Sequence, residues 1–191
     1  MNNRLKQQLD FALEIDKEKN IFRQTHLSGH GRNENDAEHA WHMAIMAYLL
    51  QEYSNEPVDI AKYADVLIHD IVEIDAGDTY AYDAEGLKRR KQGRCRKGTH
   101  FLPASGRTKE ELTALFDEFE AYETPESKFA HSMDNLQPLL LNNSNGGGDW
   151  REHGVTAEQV YGRQSKTRLG SEQLFKVVDR IIRENIEKET S

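Results

Sequence analysis

Apolar side chains recur along this chain at spacings of three and four, the period of a helix, and nowhere in the convincing alternation that marks a strand. Leu5, Leu9, Ala12 and Leu13 predict an amphipathic helix over about residues 2 to 19. A loop rich in Gly, His and Asn follows, from about Thr25 to Asn35. Asp36 is a good N-cap, and Ala40, Ala44 and Tyr48 beside Trp41, Ile45 and Leu49 carry a strongly apolar helix to about Tyr53. Pro57 suits the first turn of the next helix, which Ile60, Ala64, Leu67, Ile68 and Ile71 continue to a stop at Gly77. Thr124-Pro125 starts a further helix through Phe129, Met133 and Leu136, which Pro138 should bend or restart. Asn142 to Asp149, with three consecutive glycines, reads as a loop, and Ser171 caps a last helix whose buried stripe is Leu174, Val177, Val178, Ile181 and Ile182. The pattern predicts an all-α fold.

Composition narrows the class. At 191 residues the chain is long enough to bury one core without disulfides, and its 37% hydrophobic and 30% charged residues with only 4 Pro fit a helix-rich globular protein. The formal charge of -8 argues against a general nucleic-acid binder. The single Cys95 excludes an intramolecular disulfide and suits a reducing compartment. Met1 to Asp10 is polar where a signal peptide needs an apolar core, and no apolar run approaches the ~20 residues of a membrane span, so a cytoplasmic location is expected.

The chemistry concentrates in a few places. Ile68-His69-Asp70-Ile71-Val72-Glu73 sets an imidazole and two carboxylates in an apolar segment, where ionisable groups are costly unless paired or bound to metal. On a helix, His69 and Glu73 share a face. Taken alone, a His-Asp pair is more often a hydrogen-bonded core pair than a ligand set. Glu38-His39-Ala40-Trp41-His42 adds imidazoles, and Asp134 sits between Met133 and Leu136 on another apolar helix. Two imidazoles and two carboxylates suit Mn, Fe, Co, Mg or Zn without choosing among them, and His42 and His131 are alternative donors.

The run Arg32-Asn33-Glu34-Asn35-Asp36-Ala37-Glu38-His39, then His69-Asp70 with Glu73, Gly77 and Asp78, then Asp134-Asn135-Leu136-Gln137, resembles the HD-domain metal-dependent phosphohydrolases, in particular the small branch related to bacterial 5′-deoxynucleotidases. The resemblance runs from about residue 5 to 185. It implies one HD-type hydrolase domain over residues 1–191, a helical bundle with a metal site between helices. It implies His39, His69, Asp70 and Asp134 as ligands of one divalent ion, Glu73 as a carboxylate near the attacking water and Asp78 as one at the substrate pocket. Arg23 matches an arginine that meets the substrate phosphate; its other reading is a surface residue paired with an acid of the first helix. The implied reaction is hydrolysis of a small phosphorylated substrate, a nucleoside (deoxy)5′-monophosphate, by a homodimer. The alternative is a non-catalytic, metal-stabilised regulatory or nucleotide-binding protein, which would have no use for Glu73 and Asp78 beside four ligands.

One stretch departs from the resemblance. Leu87 to Arg107 is dense in basic residues, with Lys88, Arg89, Arg90, Lys91, Arg94, Arg96 and Lys97, and no aromatics interleave them as a nucleic-acid patch would require. A solvated segment is the reading adopted, with no nucleic-acid partner.

Overall fold

A helix with one apolar stripe must bury it, and the way these stripes meet defines the architecture. The computed structural model describes residues 2–59, 68–83, 85, 86, 88 and 107–189. In chain order it contains α1 (Asn3–Glu14), a 3-10 turn (Ile15–Asn20), β1 (Phe22–His26), β2 (Asn33–Asn35), α2 (Asp36–Leu50), a second 3-10 turn (Gln51–Tyr53) and α3 (Glu73–Ala76). There follow α4 (Arg107–Ala121), α5 (Pro125–Ser144), α6 (Gly148–Glu152), α7 (Ala157–Gln164), α8 (Thr167–Gly170) and α9 (Glu172–Glu189).

Helix α5 is the pillar. Thr124 caps it by accepting a hydrogen bond from the Ser127 N–H at 3.1 Å, and Pro125 sits at the first position, where no backbone N–H is needed. Phe129, Met133, Leu136 and Leu139 of α5 form the centre of the core, with Met43, Met46 and Ala47 of α2 on one side and Leu174, Val178, Ile181 and Ile182 of α9 on another. Helix α8 presses so closely on α5 that a Cβ at Gly170 would overlap the Lys128 carbonyl and the Ser132 hydroxyl, which demands glycine there. Ser171 caps α9 as its sequence predicts, accepting from the Leu174 N–H at 3.1 Å.

The all-helical class holds, with several corrections of detail. The segment read as a loop from Thr25 to Asn35 contains a two-stranded antiparallel ribbon, β1 with β2, in the register Phe22↔Asn35 and His26↔Asn33. Its polar sequence carries no alternation; α2 ties it at one end, where the Asp36 N–H donates to the Ile21 carbonyl at 3.1 Å, and Asn33 Nδ2 donates across it to the Arg23 carbonyl at 2.7 Å. The N-cap of α2 is Asn35, not Asp36, through a capping box in which Asn35 Oδ1 accepts from the Glu38 N–H at 2.9 Å and Glu38 Oε2 accepts from the Asn35 N–H at 3.2 Å. Pro57 to Asp59 is not helical, and the expected helix residues Ile60, Ala64 and Leu67 lie outside the described residues. Pro138 does not restart α5, which runs through it, although Pro138 has no N–H for the Asp134 carbonyl one turn back. Asn142 to Ser144 complete α5, and the predicted loop shrinks to a turn at Asn145–Gly147, with Gly146 and Gly147 at positive φ, before α6. Cys95 and all of the basic stretch 87–107 except Lys88 and the backbone of Arg107 lie outside the described residues.

Helix α2 is apolar all round, and only half of it is covered. His39, Ala40, Met43, Met46 and Ala47 are buried, whereas Trp41, Ile45, Tyr48 and Leu49 form an exposed face, Trp41 at 64%. The apolar stripe of α1, Leu5, Leu9 and Leu13, is likewise exposed.

Because Phe129 is fully enclosed, Phe129→Ala is expected to lower the unfolding free energy by about 3–5 kcal/mol through lost transfer energy and an unfilled cavity. Urea denaturation of the parent and the variant measures it; a change below about 1 kcal/mol would contradict the placement of α5 at the core.

Candidate metal centre and its cavity

The segment that follows the undescribed residues places His69 and Asp70. Its backbone bonds run from the Ile71 N–H to the Ile68 carbonyl at 3.2 Å, Glu73 to Asp70 at 2.8 Å and Ile74 to Ile71 at 3.2 Å, a period of three in place of the predicted α-helix. The tight turn leads directly into α3 at Glu73, whose side chain is fully buried.

Three of the four expected ligands converge. His39, His69 and Asp70, all buried, each offer an atom within 4.8 Å of the others. Asp70 Oδ2 lies 3.0 Å from His69 Nε2 and 4.0 Å from His39 Nε2. Asp134 joins through His39, with its Oδ1 3.3 Å from His39 Nε2, while its Oδ2 accepts from Arg163 Nη2 at 2.9 Å. His39 is oriented from behind: its Nδ1–H donates to Gln137 Oε1 at 3.0 Å, which turns Nε2 toward the carboxylates. Gln137 Nε2 in turn donates to Glu34 and, at 3.1 Å, to His42 Nδ1. His42 is therefore a support for Gln137 and not a competing donor. His131 is also elsewhere, stacked on Phe119 with centroids 4.1 Å apart and donating to the Phe119 carbonyl at 2.9 Å. Burial, the largest influence, lowers its pKa to about 4.

Arg23 settles between the two readings open in sequence. It is 12% exposed and faces no acid of α1. Its Nη1 lies 3.3 Å from Asp70, 3.4 Å from Asp36 and 3.9 Å from Asp78, and its Nε lies 3.7 Å from Glu34. The guanidinium is thus ringed by carboxylates, and the negative charge exceeds what it can neutralise. The titration of its neighbours records that excess. Asp36 is pushed up to about 8, first by burial and then by Asp70, against the pull of Arg23. Asp78 is raised for the same reasons, burial foremost. Asp70 moves the other way: although burial opposes it, the imidazole of His69 holds its carboxyl well below the usual range. His39 is raised to about 9 despite burial and Arg23, because Asp134 and Glu34 favour its cationic form. A cation bound at His39 Nε2 must displace that proton. Two imidazoles and a carboxylate, buried in surroundings with more acids than bases, fit a divalent ion.

The site opens onto a cavity of about 880 Å³, lined by Arg23, Asp78 and Asp134 on one side and by Tyr80, Tyr82 and Trp150 on another. Glu73 and His39 are fully buried behind this surface. The sequence showed Glu34 and Gln137 only as parts of a run and Asp36 only as a helix cap, with no role at the site for any of them, and Arg163 and Glu18 carried no signal. A polar triplet between a ribbon and an apolar helix was the available signal for Glu34 and Asp36.

The HD-domain family pattern matches residues 15–175. The chain belongs to the HD-domain family. In the crystal structure of a predicted metal-dependent phosphohydrolase from Magnetospirillum magnetotacticum, this HD fold recurs at 42% identity with a TM-score of 0.86, over 97% of this chain and 94% of that one. Human 5′-deoxynucleotidase HDDC2 is 29% identical over 112 residues, 57% of this chain and 53% of the human protein. The match therefore spans about half the length of that relative.

The buried Glu18, on the 3-10 turn after α1, gives a measurable signature. Burial, with Asp70 adding to it and His69 opposing, raises its carboxyl from 4.5 to about 7. The folded state thus binds this proton more tightly than the unfolded one, so the contribution is complete below pH 4.5 and lost as pH rises through about 7. In metal-stripped protein, Glu18→Gln is expected to gain stability relative to the parent over that window, by on the order of 3 kcal/mol at its upper end. Urea denaturation across pH tests it; parallel curves for the two proteins would count against the buried acid.

Proposed function

We propose that this chain is a phosphomonoesterase acting on nucleoside 5′-monophosphates, the deoxy forms among them, with one divalent ion held by His39, His69, Asp70 and Asp134. The observation that carries the reading is Arg23, a forked donor at the cavity wall within 3.3 Å of Asp70. A guanidinium beside a cation site is the arrangement that receives a phosphate dianion. The name of the human relative favours the nucleotide, and Tyr80, Tyr82 and Trp150 offer rings on which a base could stack.

When bound, a divalent ion supplies Lewis-acid polarisation of a phosphoryl oxygen and lowers the pKa of water. Arg23 binds and orients the phosphate. Asp78, which lines the cavity and whose carboxyl burial raises, or Glu73, fully buried close to His69 and Asp70 in sequence, orients the attacking water or takes its proton. Residues 1–191 act as one domain in this reading. The exposed Trp41, Ile45, Tyr48 and Leu49 form a homodimer face, since contiguous apolar surface of this kind is normally covered. Among the described residues no helix is long and apolar enough to cross a membrane, which accords with an enzyme of the cytoplasm.

Phosphate release from a panel of nucleoside monophosphates, with Mn, Co, Mg, Fe and Zn restored in turn to stripped protein, tests the proposal. Release from none of them by metal-loaded protein would favour the non-catalytic alternative. His69→Ala and Asp70→Ala are expected to lose both metal and activity, and full metal content in both would reject the ligand set. Glu73→Gln is expected to keep the metal and lose most turnover. Arg23→Ala is expected to lower kcat/KM about a hundredfold or more, since each charge-assisted hydrogen bond contributes about 1.5–3 kcal/mol. A loss within about twofold in folded, metal-loaded variant would remove Arg23 from the phosphate.

A further inference from the structure

A second group of metal-type donors lies away from the centre just described. His26 at the end of β1, His30 in the loop that follows and Asp149 in α6 each offer a ligand atom, and these atoms lie within 4.8 Å of one another. We infer that they form a second, mononuclear metal site for a transition ion of the Zn²⁺, Co²⁺ or Ni²⁺ type.

The convergence is built into the backbone. Asp149 is almost fully buried, and both of its oxygens are engaged by His26: Oδ2 accepts from the backbone N–H at 3.1 Å, and Oδ1 lies 2.8 Å from Nδ1. That pair alone would be an ordinary His-carboxylate link. What it does not explain is His30. Its backbone is left-handed, at φ 58, directly after Gly29 at φ 74, a conformation disfavoured for a residue with a Cβ. The loop is held in that shape from α5 and the turn beyond it: the His30 N–H donates to Asn145 Oδ1 at 2.6 Å, and Asn145 Nδ2 donates to the Leu27 carbonyl at 3.2 Å. The result is to set the His30 ring 4.9 Å from that of His26, with an interplanar angle of 30°. Gly148 supplies the room, since a Cβ there would come within 3.4 Å of the ring at Cε1.

Two imidazoles and one carboxylate select for transition ions over Mg²⁺ and Ca²⁺, which prefer all-oxygen shells. Ligand bonds of about 2.0–2.2 Å separate neighbouring donors on a tetrahedral ion by about 3.3–3.6 Å. The His26–Asp149 edge is a 2.8 Å hydrogen bond that an ion would open by about half an ångström as it takes the proton's place, and the exposed His30 supplies the third donor, within 4.8 Å of both. The two centres are distinct. They share no donor: His26, His30 and Asp149 make one group and His39, His69 and Asp70 the other. An ion here would staple the ribbon that carries Arg23 and Glu34 to the first turn of α6. The inference does not rest on the substrate reading.

Metal counting on untagged full-length protein, stripped with chelator and dialysed against low-micromolar Zn²⁺, tests it. The parent is expected to hold two equivalents, His30→Ala one and His69→Ala one, and the double variant to hold none or a trace. In the same samples Zn²⁺ is expected to raise the thermal midpoint of His69→Ala but not of the double variant, because an ion bound only to the native state stabilises it. One equivalent in the parent, or an undiminished count in His30→Ala, would overturn the site. Since His30 is exposed, its truncation should leave the fold intact; if His69→Ala does not fold, the comparison of parent with His30→Ala still decides.

Discussion

A buried guanidinium held among carboxylates constrains everything around it. Arg23 lies within 4.0 Å of Glu34, Asp36, Asp70 and Asp78, which come from β2, the first turn of α2 and the segment on either side of α3. Removing that many acids from water would be prohibitive if they were unpaired, so each segment that carries one is tied to the others through the same cation. The pairing is incomplete, as the elevated pKa of Asp36 records. The residual negative potential favours a cation beside the neighbouring imidazoles and Asp70.

The core supplies the rigidity. Helix α5 contributes Phe129, Met133 and Leu136 to the apolar centre, and from the same turns it presents Asp134 and Gln137 to the site. Gln137 converts that position into orientation by linking His39, His42 and Glu34, so that two elements far apart in sequence share one hydrogen-bond network. Pro138 follows at once and leaves the Asp134 carbonyl without its usual helical donor. Arg163 meets the outer oxygen of Asp134 from α7 and leaves the inner one to His39. The carboxylate is thereby held between a fixed cation and an imidazole.

Helical period and caps determined the class of the fold, because each stripe of apolar residues can be buried only one way on a helix; Phe129, Met133 and Leu136 lie where their spacing puts them. His39, His69, Asp70 and Asp134 were legible as chemistry because ionisable residues in apolar segments must have a reason to be there. What sequence alone left undecided was set by contacts between distant segments. Arg23 is compatible with a surface pair or a buried site, and only the meeting of β1 with Asp70, 47 residues later, decides. The ribbon of β1 and β2 has no pattern of its own and exists because α2 and the site hold it in place. Asp36 and Asn35 are equally good caps by residue type; the capping box with Glu38 selects Asn35 and frees Asp36 for Arg23. Helical arithmetic predicts an unbroken α-helix through His69 and Glu73, yet the backbone closes with bonds three residues apart before α3 begins at Glu73. Local sequence specifies which residues can form an element or carry charge; the balance of buried charge, which sums over the whole chain, specifies which of them face one another.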